Sequence, residues 1–164
     1  MPETRGPSSK IELRVLRSHH TATIREDVGL PDLPEAMGRI FQAVNEALDK
    51  QNVARDGAPF ARYHSYGDTV DLEAGVMVVA PIVPDGNVTP SELPAGPAAI
   101  AVHAGPYESL GATYDAIELW LTATGHEASG GPWELYITDP SAEPDPTKWL
   151  TEVIFPLEPN REIR

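Results

Sequence analysis

Gly131-Pro-Trp-Glu-Leu-Tyr-Ile-Thr-Asp139 (GPWELYITD) is an apolar segment with a single glutamate inside it. Aromatic and β-branched residues alternate between a Gly-Pro start and an Asp-Pro stop, which predicts a strand. A carboxylate, Glu134, stands in its middle. Side chains alternate faces along a strand, so Trp133, Leu135 and Ile137 share one face, while Glu134, Tyr136 and Thr138 share the other. The apolar trio is expected under a helix, each large side chain stabilising the fold by roughly 1.5–3 kcal/mol. The second face is then polar and aromatic.

The same pattern occurs earlier. Gly57-Ala-Pro-Phe-Ala-Arg-Tyr63 matches Gly130-Gly-Pro-Trp-Glu-Leu-Tyr136 in its Gly, Pro, aromatic and Tyr at one constant offset. Each follows a helical pattern. In the first half Met37, Ile40, Phe41, Val44 and Leu48 fall at spacings of three and four, with Asp32 as N-cap, Glu35 in a weak capping box, and a stop over 52–57. In the second, Tyr107, Leu110, Tyr114, Ile117 and Leu121 keep that spacing beside Trp120, after a Gly105-Pro106 break and before Gly125.

Strands complete each half. IELRVLRSHHTATIRED gives two strands or one bent strand. PFARYHSY and TVDLEAGVMVVA flank a Gly67-Asp68 turn. AAIAVHA precedes the second helix, and WLTEVIFPL closes the chain. The expected fold is α+β: two strand-helix-strand-strand modules in a pseudo-twofold arrangement, with antiparallel sheets, one main helix each, and a ligand cleft between them. The modules span 10–80 and 98–164, joined by a proline-rich connection over 81–97; residues 1–9 read as a disordered N-terminus. By the repeat, Ala61, Tyr63 and Ser65 occupy the face equivalent to Glu134, Tyr136 and Thr138.

Bulk properties narrow the function. The chain has 164 residues, and 41% hydrophobic content is ordinary for one soluble domain. A net charge of −13 repels phosphate backbones, so direct nucleic-acid binding is not expected. There is no cysteine, which removes disulfides and thiolate metal sites. No apolar run approaches the roughly 20 residues of a membrane span, and the N-terminus lacks an apolar signal core. The expectation is a cytoplasmic protein, a monomer or weak homodimer, with no membrane partner.

A carboxylate among tyrosines can pair with a cation, and each ring over a cation adds roughly 0.5–2 kcal/mol. Spacing alone fits an ordinary exposed glutamate better. A resemblance sharpens the reading. His103-Ala-Gly-Pro-Tyr-Glu108, the helix with Tyr114 and Leu119-Trp120, Gly131-Pro-Trp-Glu-Leu-Tyr136, Asp139-Pro140 and Trp149-Leu-Thr-Glu-Val-Ile-Phe-Pro156 resemble the gyrase-inhibitor-like (GyrI-like) small-molecule-binding domains. These are similar to the effector-binding domains of AraC-type and multidrug-responsive MerR-type regulators.

The resemblance implies a cleft with a central glutamate that receives amphipathic, aromatic or cationic drug-like compounds. Glu134 falls on that glutamate's position. Tyr63, Tyr107, Tyr114, Trp133 and Tyr136 are the aromatics expected around it, Trp133 as core or rim. Some stand-alone members resemble hydrolases that add water to cyclopropane-bearing DNA-alkylating antibiotics. Glu134 would then be the base, with Tyr136 or Tyr63 as hydrogen-bond donor. A third reading is a gyrase-binding inhibitor whose acidity mimics DNA. Because the resemblance covers nearly the whole chain, no helix-turn-helix is expected within it, and neither cofactor nor metal is expected.

Other candidates read as structural. His19 and His20 are adjacent on a strand and point to opposite faces. His64 and His103 lack an identifiable third ligand. His103 suits a turn or cap before the helix, and Glu108 suits that helix's N-terminus. Ser65 and Thr138 lack a nucleophile elbow. Glu152 is a candidate second acidic pocket residue.

Overall fold

A computed structural model describes residues 10–159. The expected disordered segment, 1–9, lies outside them. The elements are β1 (Ile11–Leu16), β2 (His19–Gly29), α1 (Leu33–Gln51), β3 (Arg55–Ser65), β4 (Thr69–Val78), β5 (Thr89–Leu93), β6 (Gly96–Ala104), α2 (Leu110–Thr124), β7 (Trp133–Tyr136) and β8 (Leu150–Pro156). The fold is α+β with antiparallel strand pairing. Two compact units divide it: residues 17–95 form one, and residues 10–16 with 96–159 form the other.

In the unit of residues 17–95 the strand order is β3-β4-β2-β5. Helix α1 buries Ala36, Ile40, Val44, Ala47 and Leu48, the stripe that helical spacing predicts. Met37 and Phe41 are half-buried. Asp32 takes the N-cap position, yet its side chain makes no capping hydrogen bond. The chain enters through a 3₁₀ turn at Leu30–Asp32, which corrects the expected capping box. Asn52 ends the helix in the left-handed conformation, and Val53 N–H closes on Leu48 O at 3.0 Å.

The proline-rich connection is not a plain linker. It contains β5, which pairs with β2 through Thr23↔Thr89 and His19↔Leu93. Pro90 fits there because β5 is the outermost strand, where a missing N–H costs the ladder nothing. On the face of β2 and β4 that carries Thr23, a buried polar group forms. Glu73 accepts from Thr23 Oγ1 at 2.8 Å and meets His64 Nε2 at 2.8 Å. Burial alone would raise its carboxyl pKa, but hydrogen bonds from Ser91, His64 and Thr23 outweigh burial and lower it.

In the other unit the order is β1-β6-β8-β7. Leu110 and Ile117 of α2 pack on Ala99, Ala101, Val153, Phe155 and Leu157, with Ile11, Tyr114, Trp120 and Leu121 at the margin. The α-helix starts at Leu110, later than expected, because Tyr107–Ser109 forms a 3₁₀ turn first. Gly125, at φ +76°, caps its end.

Strand β7 is shorter than the sequence suggests, and its faces are reversed. Glu134 stands opposite Val153, and Val153 opposite Ala101, both residues of the core beneath α2. So Glu134 and Tyr136, not Trp133 and Leu135, face the helix. Trp133 stands opposite Ile154, and Ile154 opposite Ile100, on the other face, where all three are buried. A strand buried on both faces does not announce its helix side by apolarity. Ile137 lies beyond the strand and is 49% exposed.

Candidate functional site

The site is built from Glu134 outward. Its side chain is 5% exposed, and a buried carboxylate needs hydrogen-bond donors. Two phenols supply them. Tyr114 OH donates to Oε2 at 2.6 Å and Tyr136 OH donates to Oε1 at 2.7 Å. Tyr136 reaches it by the two-residue repeat of the strand, and Tyr114 comes from α2. Both lengths are those of strong hydrogen bonds to an ionised acceptor.

Aromatic rings continue the cluster. The Tyr107 ring lies 5.7 Å from Tyr136, edge to face, and 5.0 Å from Trp149. Tyr114 meets Phe155 edge to face at 5.7 Å. These separations suit the aromatic quadrupole. Trp149 is fixed by its indole N–H, which donates to Glu143 O at 2.8 Å. Burial, then the charges of Glu134 and Asp139, raise the Tyr107 phenol pKa, so this ring stays a neutral donor.

Behind the tyrosines runs a row across three strands: Tyr136 on β7, Thr151 on β8, His103 on β6. Pro106 O can only accept, so His103 Nε2–H donates to it at 3.1 Å, with Ser109 Oγ 3.0 Å away. Thr113 Oγ1 then donates to Nδ1 at 3.0 Å. His103 thus ties the 3₁₀ turn and α2 to the sheet, in keeping with the turn role read from sequence. Thr151 Oγ1 is buried with no hydrogen-bond partner. Thr151→Val keeps the shape and removes the orphan hydroxyl, so it is expected to stabilise the fold by about 1 kcal/mol. A urea titration checks this; a loss of stability would mean the hydroxyl is satisfied.

Of the residues predicted from sequence, Glu134, Tyr136, Tyr114 and Tyr107 come together. Trp133 points to the opposite face and is 2% exposed. Tyr63 belongs to the other unit, where it stands opposite Leu72 and meets Tyr66 edge to face at 5.6 Å. Glu152 pairs with Leu135 and Val102, so it does not share the face of Glu134. Sequence reasoning missed Trp149 and Thr151 as members. The signal was present: Trp149, Thr151 and Val153 keep the two-residue period of β8. Among the described residues no group of three or more His, Asp or Glu is placed to hold a metal. No helix among them is long and apolar enough to cross a membrane.

Comparison with known proteins places the fold and the family. No curated protein matches the chain by sequence. Among solved structures, the EcmrR C-terminal domain superposes with a TM-score of 0.82 at 23% identity, covering 92% of this chain and 98% of that one. The longer EcmrR chain in its DNA complex gives a TM-score of 0.83 at 24% identity; this chain spans 58% of it. A hydrolase from Listeria innocua gives 0.63 at 14% identity, covering 93% and 94%. SAV2435, solved bound to tetraphenylphosphonium, gives 0.60 at 10% identity, covering 91% and 94%. At these identities the likeness is one of fold. The GyrI-like small molecule binding domain profile matches residues 9–158, and the chain belongs to that family.

Proposed function

We propose that this protein binds amphipathic aromatic cations, with Glu134 as the counter-charge and Tyr107, Tyr114, Tyr136 and Trp149 as the aromatic surround. One observation carries the reading: a buried carboxylate held by two phenols, on the helix side of its sheet. The phenols fix both carboxylate oxygens, and the rings offer faces for a cation or a planar body. Family membership supports a small-molecule ligand, and the tetraphenylphosphonium held by SAV2435 supports its chemistry. In this proposal Trp133 backs the strand rather than touching the ligand.

A hydrolase reading uses the same atoms, with Glu134 as base and Tyr136 as proton donor. The binder reading is favoured because the matching family is one of small-molecule-binding domains and a protein of like fold holds an aromatic cation. Calorimetric titration with tetraphenylphosphonium tests the proposal. Glu134→Gln is expected to weaken binding by roughly tenfold to a hundredfold, the loss of a charged partner in a buried site. An unchanged Kd in the variant would remove the carboxylate from the ligand.

A further inference from the structure

We propose that two copies of this chain pair antiparallel through the outer edge of β1, about a twofold axis at Leu13. Among the described strands, β1 and β5 each stand at one end of a unit's strand order, and the two are protected differently. An unpaired strand edge invites another strand, and proteins blunt it with proline, charge or shortness. Strand β5, Thr89–Leu93, carries Pro90 and Glu92. Strand β1, Ile11–Leu16, carries no proline and exposes two apolar residues, Leu13 at 54% and Val15 at 83%. Both continue the row of Ile11, which packs at the margin of the α2 core. The row thus begins in the core and runs out into solvent.

The sequence of β1 fits itself in one register. With Leu13 opposite Leu13 of the second copy, Ile11 falls opposite Val15 and Glu12 opposite Arg14, each twice by symmetry. An apolar ladder forms on one face and two opposite-charge pairs on the other, the combinations that stabilise antiparallel neighbours. Within one chain Arg14 Nη2 holds Glu12 at 2.8 Å, an exposed pair. Exchanging that partner for the second copy's carboxylate keeps the charge balanced. A shift of one residue would set Leu13 against Arg14 and lose both ladders. A twofold contact is also the commonest way for one chain to assemble.

The absence of cysteine makes the test direct, because a single introduced thiol reports one position. Sedimentation equilibrium on the full chain is expected to show a concentration-dependent dimer. Leu13→Lys sets like charges opposite at the axis and is expected to raise the dimer Kd roughly tenfold or more, with circular dichroism unchanged. Under mild oxidant, Leu13→Cys is expected to cross-link at least about tenfold faster than Glu12→Cys or Arg14→Cys, because only position 13 faces itself. A monomer at the highest soluble concentration overturns the proposal. So does equal cross-linking at all three positions, or a dimer that Leu13→Lys leaves intact.

Discussion

Gly75→Ala is expected to destabilise the protein by at least about 3 kcal/mol, the largest effect of any small substitution described. Gly75 pairs with Thr23 on β2 and Phe60 on β3. A Cβ there would overlap the Ala22 carbonyl oxygen, with the Ala22 carbonyl carbon and Thr23 Cα each 2.9 Å away. These are backbone atoms, so no rotamer change relieves the clash. Strand β2 would have to move off β4, and Ala22 and Thr23 are buried in that contact. Interiors this close-packed do not yield locally. Chemical denaturation of the purified variant, or its loss from the soluble fraction, measures the effect. A loss under about 1 kcal/mol would show that the two strands separate easily.

Trp133→Ala is expected to cost about 3–5 kcal/mol of stability, the usual range for truncating a buried large aromatic. Its neighbour Glu134 gives the contrast. The two residues occupy opposite faces of β7, so they separate stability from binding. The tryptophan variant, measured where it remains folded, should keep its Kd for tetraphenylphosphonium within about twofold. Glu134→Gln should keep most of its stability and lose affinity. A tryptophan variant that stays stable but loses the ligand would move Trp133 into the binding surface.

The sequence made much of this legible, for identifiable reasons. Both helices show because an apolar stripe at spacings of three and four has few other readings, and Asn52 and Gly125 mark their ends. Glu134 stands out because a carboxylate inside an apolar strand is chemically unusual. The strand's orientation did not show. Trp133 and Leu135 suggested the helix side by their apolarity, but Ile100 and Ile154 make the far face apolar too. What settles the side is register, Glu134 against Val153 and Val153 against Ala101, which depends on pairings far apart in the chain. Strand β5 was hidden by its proline, which a central strand excludes and an outermost strand tolerates. Tyr107 and Tyr114 are expected near the glutamate only through the family resemblance; the hydrogen bond from Tyr114 to Glu134 depends on how α2 lies across the sheet.

The turn that carries Tyr107 is held by hydrogen bonds of its own. His103 clasps Pro106, Ser109 and Thr113, and Gly105 N–H binds Trp149 O at 2.8 Å. If the proposed site is right, Tyr107 and Trp149 would meet a guest already oriented, with little rotational freedom left to lose on contact. Such a wall would discriminate by outline: a flat ring of the right breadth would gain the full stack, while a bulky or puckered one would find walls slow to rearrange.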